Sequence, residues 1–364
     1  MVCAYRVSIS RQWTADSNTG LTVNSSHQYD ALVEFTPAGK AFVTQPVLPE
    51  AIEFLKRHAT VQLNRENRVL SRGQLRSELA SADGVLTLLT DVMDTEILES
   101  VPKLKVVANA AVGFNNVDVA AATRLGIAVT NTPGVLTETS ADLAWALLMA
   151  AARRLGEAER FLRAGKFKSW EFQMFLGHDV YGKTLGIVGL GRIGRAMARR
   201  ARGFGMKVVY FNSRPVAPDV SGPLDARSVS FDELLRISDF ITLHVPLAPD
   251  TTHLMNDQAF SLTKSSCIVV NTSRGPVIDE KALVRALQTG KIAAAGLDVY
   301  EREPEIEPEL LQMENVVLAP HIGSATRETR LRMCMMAAEN LVSVLKGERP
   351  PNLVNAEVWE KRRR

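Results

Sequence analysis

Short apolar runs rich in β-branched residues alternate along this chain with longer stretches whose apolar positions recur at helical spacing. From Ala41, "AFVTQP" precedes "LPEAIEFLKRH", "GVLTLL" precedes "DTEILESV", and "KVVANAA" precedes "VDVAAATRLG", which Gly126 closes. This alternation predicts βαβ units around a parallel sheet. Next, "TETSADLAWALLMAAARRLGEAERFL" predicts one long helix, opened by Thr139 and Asp142 at capping-box spacing after Pro133 and Gly134. An irregular stretch over 164–182 with Trp170 follows. A second series then begins at "KTLGIVG" and runs through "VVYF", "DFITLHV", "CIVVN", "AAAGLDV" and "NVVLAP".

The first turn of the second series is glycine-rich. Gly189, Gly191 and Gly194 stand in G-x-G-x-x-G spacing between an apolar strand and a helical pattern that starts near Arg192 and Ile193. Such glycines serve a tight turn, close approach of backbone to a pyrophosphate, and close helix-on-strand packing, with the pyrophosphate at the helix N-terminus. The context on both sides favours a dinucleotide site over an ordinary strand-to-helix turn. The chain returns as "KVVYFNSRPV", and Asn212 stands where NAD-using proteins place an acid for the ribose 2′-hydroxyl. Without that carboxylate a 2′-phosphate is not repelled, and Ser213 and Arg214 add donors for it. NADP(H) is therefore the expected cofactor and NAD(H) the alternative. The plainer reading of Arg214 is a solvated cation before Pro215.

The last three strands each run into polar chemistry at the carboxyl end, where doubly wound sheets bind ligands. They deliver Arg274, then Asp298 and Glu303, then His321. Reduction of a 2-oxo acid needs a cation for the carboxylate and carbonyl oxygen, and an acid to protonate the forming alkoxide. Arg274 suits the first role and His321 the second, with Glu303 expected to favour the imidazolium. Singly, these residues read as a loop cation, a solvated charge and a strand-end cap; their joint placement favours the chemistry. His27, His58, His178, His244 and His253 are taken as structural or surface residues.

Composition narrows the setting. At 364 residues, 46% hydrophobic and 23% charged, the chain reads as soluble, globular and two-domain. Its 43 Lys+Arg against 40 Asp+Glu give no field that argues for nucleic acid, and the terminal "KRRR" is expected to be a frayed, solvated tail. Cys3, Cys267 and Cys334 show no metal-ligand spacing, so no metal is expected, and they fit a reducing cytoplasm better than a disulfide. "LAWALLMAAA" from Leu143 is too short to span a bilayer and reads as a buried or interface helix, so no membrane partner is expected. Residues 1–39, rich in Ser, Thr and Asn, are expected to be a disordered extension.

The motifs "AAVGFNNVD", "NTPGVLTETSADLAWALL", "GIVGLGRIG", "VNTSRGPVIDE", "GKIAAAGLDVYEREP" and "LAPHIGSATRETR", in this order, make the chain from about residue 41 to 353 resemble the D-isomer-specific 2-hydroxyacid dehydrogenases, most closely their glyoxylate/hydroxypyruvate reductase branch. The resemblance implies an α/β fold of two parallel-sheet domains. A Rossmann-type cofactor domain over 139–324 would be inserted in a flavodoxin-like substrate domain over 40–138 and 325–353, leaving 354–364 as a basic tail. It implies Arg274, Glu303 and His321 as the catalytic set, and the backbone N–H groups of Val112 and Gly113 on the substrate carboxylate. Arg192, Ile193, Pro246, Thr272 and Asp298 go to the cofactor, with Asp298 near the nicotinamide carboxamide and Gly323 and Ser324 beside His321 at the cleft. The helix at 140–155 and the arm around Trp170 resemble that family's dimer interface, where a Trp reaches the neighbouring subunit's site. Together these imply a cytoplasmic homodimer that reduces glyoxylate or hydroxypyruvate with NADPH by cleft closure and hydride transfer. The alternatives are 2-ketogluconate reduction and, from another class, an NAD(P)H-sensing, corepressor-like binding protein. Glu303, where formate dehydrogenases carry Gln, and the short chain after His321 disfavour formate dehydrogenase and regulated phosphoglycerate dehydrogenases.

Overall fold

Strands buried on both faces and joined through helices favour parallel pairing, and among the described residues every pairing between the strands of the two sheets is parallel. A computed structural model describes residues 36–364; the expected extension over 1–39 therefore lies, up to residue 35, outside the described residues, as do Cys3 and His27. The chain divides into two compact units: unit 1 takes in the chain up to 110, with 116–130 and 334–364, and unit 2 comprises 111–115 and 131–333.

Unit 1 is built on β1 (Lys40–Val43), β2 (Thr60–Leu63), β3 (Gly84–Thr87), β4 (Val106–Asn109) and β5 (Ala128–Thr130), in the order β2-β1-β3-β4-β5. Its core has two layers. Val43, Leu86, Val106 and Ala108 pack against Leu55 and the later turns of the helix Arg327–Leu345, while Phe42, Val85 and Val107 pack against Leu79 and Leu98. The sequence pattern missed β2, whose residues are alternately exposed, and the three-residue β5.

Unit 2 is built on β6 (Thr184–Val188), β7 (Lys207–Phe211), β8 (Ala226–Ser228), β9 (Phe240–Leu243), β10 (Ile268–Asn271), β11 (Ala294–Leu297) and β12 (Val316–Leu318), in the order β12-β11-β10-β9-β6-β7-β8. The chain crosses from β6 to β7 on one side and β8 to β9 on the other, so the order reverses at β6, where open α/β sheets bind ligands.

Several expectations need correction. The predicted long helix is two, Thr137–Ala152 and Leu155–Arg163, because Arg154 adopts a left-handed φ of 52° that no helix continues through. No capping box forms: Leu136 is the N-cap residue, Thr139 shares a 2.6 Å hydrogen bond with the Thr329 hydroxyl, and Asp142 pairs with Arg200. Nor is the basic tail a frayed one. Ala356–Lys361 forms a 3-10 helix that buries Val358, Arg363 N–H donates to the Gly126 carbonyl at 2.8 Å, and its guanidinium donates to the Val101 and Leu104 carbonyls at 2.8 and 3.0 Å. The guanidinium thus adds a donor to a turn in which the Val101 carbonyl already accepts the Leu104 N–H at 3.1 Å.

The unit boundaries also differ from those expected. Val112 and Gly113 fall with unit 2, because the turn after β4 is bonded to residues 131 and 132: Asn131 Nδ2 donates to the Val112 carbonyl at 2.8 Å and Thr132 N–H to the Ala111 carbonyl at 2.9 Å. Cys267 and Cys334 are buried thiols, and among the described residues no helix is long and apolar enough to cross a membrane and no group of side chains could hold a metal ion.

Candidate active site

The three glycines of the turn differ in what they tolerate. Gly189 has φ +97°, and a Cβ there would lie 2.9 Å from the backbone of His244; at Gly194 it would lie 2.2 Å from the Gly189 carbonyl. At Gly191 nothing stands within 4 Å, so the space above it is open. The helix Arg192–Gly203 begins immediately after, with Gly191 as N-cap. Turn, close packing and open cradle are what a pyrophosphate at a helix N-terminus needs, and a dinucleotide fits them.

Asn212 is part of this turn. Its Oδ1 accepts the Leu190 N–H at 2.7 Å, and because a backbone N–H can donate only to the oxygen, the amide nitrogen must face the other way. A carboxylate could take the same bond but would present an anion where Asn presents a donor. Ser213 and Arg214 beside it are exposed, as are Arg192 and Pro246, whereas Ile193 is half-buried. The Thr272 hydroxyl is buried and without a partner among the described residues.

Beyond β10, Asn271 folds the loop that carries the cation: its Nδ2 donates to the Arg274 carbonyl at 2.9 Å, and its Oδ1 accepts the Ser273 N–H at 3.0 Å. The Arg274 guanidinium donates to the Ser273 carbonyl at 2.7 Å and lies against Gly113, so close that a Cβ at 113 would sit 1.7 Å from Nη2. Burial pushes Arg274 below its ordinary pKa, opposed by the Glu303 charge.

Beyond β11 and β12, Glu303 and His321 meet at 2.8 Å through Oε2 and Nδ1. The other Glu303 oxygen accepts the Tyr300 N–H at 3.0 Å, and the Tyr300 hydroxyl donates to the Ala319 carbonyl at 2.9 Å, which ties this loop to the strand before His321. Burial works to raise the Glu303 carboxyl; the hydrogen bond and charge of His321, the Tyr300 N–H and Arg274 together hold it below its ordinary value.

His321 has φ +54°, a left-handed conformation unusual for a side chain of this size. Asp298 holds it there, its carbonyl accepting the His321 N–H at 2.9 Å and its carboxylate the N–H groups of Ile322 and Gly323 at 2.7 and 2.8 Å. Burial pushes the Asp298 carboxyl up, against those two donors and the His321 charge. The resemblance assigned Asp298 to the cofactor; in the structure both its oxygens serve the turn behind His321.

The structure thus brings Gly113, Arg274, Asp298, Glu303, His321, Gly323 and Ser324 together, while the glycine turn, Asn212 and Arg214 form the mouth of β6 and β7. Trp170 does not join them within this chain: it is 75% exposed and lies edge-on to Phe172 at 6.1 Å. Sequence reasoning missed Asn131 and Tyr300, whose hydrogen bonds go to backbone groups 19 residues away, and Asn271, which bonds the backbone of its own loop; none leaves a spacing signal.

Residues 145–323 match the D-isomer specific 2-hydroxyacid dehydrogenase, NAD binding domain. A glyoxylate reductase of Thermococcus litoralis is 49% identical over 323 residues, 88% of this chain and 97% of its own. The chain belongs to the D-isomer-specific 2-hydroxyacid dehydrogenases.

Within these dehydrogenases it falls in the glyoxylate reductase branch, and the solved structures agree. A glyoxylate reductase from Paecilomyes thermophila superposes with a TM-score of 0.80 at 35% identity, covering 88% of this chain and 99% of that one. The NADPH-dependent glyoxylate/hydroxypyruvate reductase of Sinorhizobium meliloti does so with a TM-score of 0.78 at 32% identity, covering 90% and 100%. The two all-parallel sheets are those of a 2-hydroxyacid dehydrogenase.

Proposed function

We propose that this dehydrogenase reduces glyoxylate or hydroxypyruvate to the corresponding 2-hydroxy acid with NADPH. The observation that carries the reading is the Arg274 guanidinium laid against Gly113, with the Glu303–His321 pair on the neighbouring strand ends. Arg274 and the backbone of Val112 and Gly113 bind the substrate carboxylate, and Arg274 also polarises the carbonyl oxygen. Gly189, Gly191, Arg192, Ile193, Gly194, Pro246 and Thr272 would hold a nicotinamide cofactor, which when bound would supply the hydride. His321, its Nδ1 turned to an anionic Glu303, gives the Nε2 proton to the alkoxide oxygen. Glu303 thereby orients the ring as well as balancing its charge.

For NADPH over NADH the support is Asn212, with its nitrogen facing away from Leu190, the exposed Ser213 and Arg214, and the cofactor named for the Sinorhizobium relative. A cytoplasmic homodimer belongs to the same reading. The homodimer rests on Leu162 at the end of the second helix of unit 2 and on the apolar arm after it, where Phe167, Trp170, Phe172 and Leu176 are exposed. Purified protein assayed with glyoxylate, hydroxypyruvate, 2-ketogluconate and pyruvate, each with NADPH and NADH, tests the proposal. Turnover with glyoxylate or hydroxypyruvate and a higher kcat/KM for NADPH are expected; no oxidation of either cofactor with any of the four acids would refute it.

A further inference from the structure

A second histidine–glutamate pair stands behind the first. His253 Nε2 lies 2.7 Å from Glu301 Oε1, two residues before Glu303 in the chain. The other Glu301 oxygen accepts the Glu280 N–H at 3.2 Å, and Glu280 returns the contact by accepting the Glu301 N–H at 2.6 Å through Oε1. Glu280 is 3% exposed. Because the Glu301 carboxylate only accepts, the proton in the first contact belongs to His253.

His253 is also tied to the segment that carries the cation. Its backbone N–H donates to the Pro276 carbonyl at 2.8 Å, two residues after Arg274, and the Met255–Ile278 bridge continues the pairing. The two catalytic segments press directly on one another here, since a Cβ at Gly275 would lie 1.8 Å from the Tyr300 carbonyl. Two segments that touch through backbone alone can slide; a residue bonded to both, by main chain to one and by side chain to the other, fixes their relative position. His253 has φ +51°, and its ring is aimed at Glu301 from that left-handed backbone. Histidine is among the residues that tolerate the conformation better than most.

We propose that His253, acting through Glu301, is a positioning residue that sets the Arg274 segment against the Glu303 segment. The inference rests on the proposed reduction of a 2-oxo acid, since it assigns His253 to the geometry of that site. His253 touches neither Arg274 nor His321 in the described contacts and takes no part in proton transfer.

The test compares wild type, H253A, H253Q and E301Q in steady-state kinetics with glyoxylate and NADPH, alongside NADPH Kd by fluorescence. H253A is expected to lose about 10-fold in kcat/KM for glyoxylate through displacement of the catalytic groups, with NADPH Kd within about 2-fold. H253Q keeps a side-chain donor and should recover to within about 3-fold of wild type. E301Q, which is read alone should H253A not fold, can satisfy only one of its two donors and should show a loss like that of H253A. Wild-type kinetics in both H253A and E301Q, no recovery in H253Q, or an equal loss in NADPH affinity would overturn the proposal. An inactive wild type would instead remove the reading on which it rests, so the two failures are distinct.

Discussion

Replacing Gly113 with alanine places one methyl group where the Arg274 guanidinium now lies. The new Cβ would be 1.7 Å from Nη2 and 2.8 Å from Cζ. Non-bonded atoms of this kind settle at roughly 3.5 Å, so the head group must retreat by about 2 Å. That movement breaks its 2.7 Å bond to the Ser273 carbonyl and carries it off the position proposed for the substrate carboxylate. A charge-assisted hydrogen bond lost contributes about 1.5–3 kcal/mol, and a misplacement of about 1 Å in a catalytic group costs on the order of 100-fold. The expected loss in kcat/KM for glyoxylate is therefore about 100-fold, or ~2.7 kcal/mol. Because what must move is the far end of one long side chain, the fold should lose only about 1 kcal/mol or less. Steady-state kinetics, NADPH Kd and urea unfolding of G113A, R274A and the double variant check this. If the two changes act through one contact, the double variant should be scarcely worse than R274A. G113A with activity within about 3-fold of wild type, or with costs that add to those of R274A, would refute the reasoning.

Exchanging Asn212 for Asp together with Arg214 for Ser keeps the acceptor for Leu190 N–H but sets an anion in place of two donors. Each surface charge change near a phosphate amounts to about 1 kcal/mol, so the ratio of kcat/KM for NADPH over NADH should fall about 10- to 100-fold, and an unmoved ratio would return Arg214 to a loop cation. Removal of residues 356–364 uncovers Val358's pocket and strips two carbonyls of Arg363, so urea unfolding should show a loss of about 3 kcal/mol; unchanged stability would restore the frayed tail. Glu303, held below its ordinary value of 4.5, contributes stability that is complete above that value and disappears as pH falls through its lowered native pKa. The urea midpoints of wild type and E303Q should accordingly differ most near neutrality and converge on acidification; a gap that widened below pH 4.5 would contradict the pairing.

Much of this protein was legible along the chain because its signals are local. A strand buried on both faces is a continuous apolar run, as in "CIVVN", and the glycine turn follows from steric needs within six residues. The three strand ends at Arg274, Asp298 and His321 were readable too, since a parallel sheet carries every carboxyl end to the same edge. The elements that escaped are those whose residues say little by themselves. β2 and β8 lie at sheet edges and alternate or lack apolar positions, and β5 has three residues.

What only the tertiary structure decided are contacts between residues far apart in sequence. The sequence marked Asn212 as a missing acid, but its bond to Leu190 shows that the amide closes the glycine turn and so must turn its nitrogen outward. His253 reads as an unremarkable surface histidine until the fold sets it 48 residues away against Glu301. The terminal arginines read as a solvated tail, yet the backbone carbonyls of residues 101 and 104 hold Arg363 in place. Periodicity records which face of an element is buried. It does not record which distant backbone groups a side chain will meet, and it is those groups that fix Arg363, Tyr300 and Asp298 where the fold holds them.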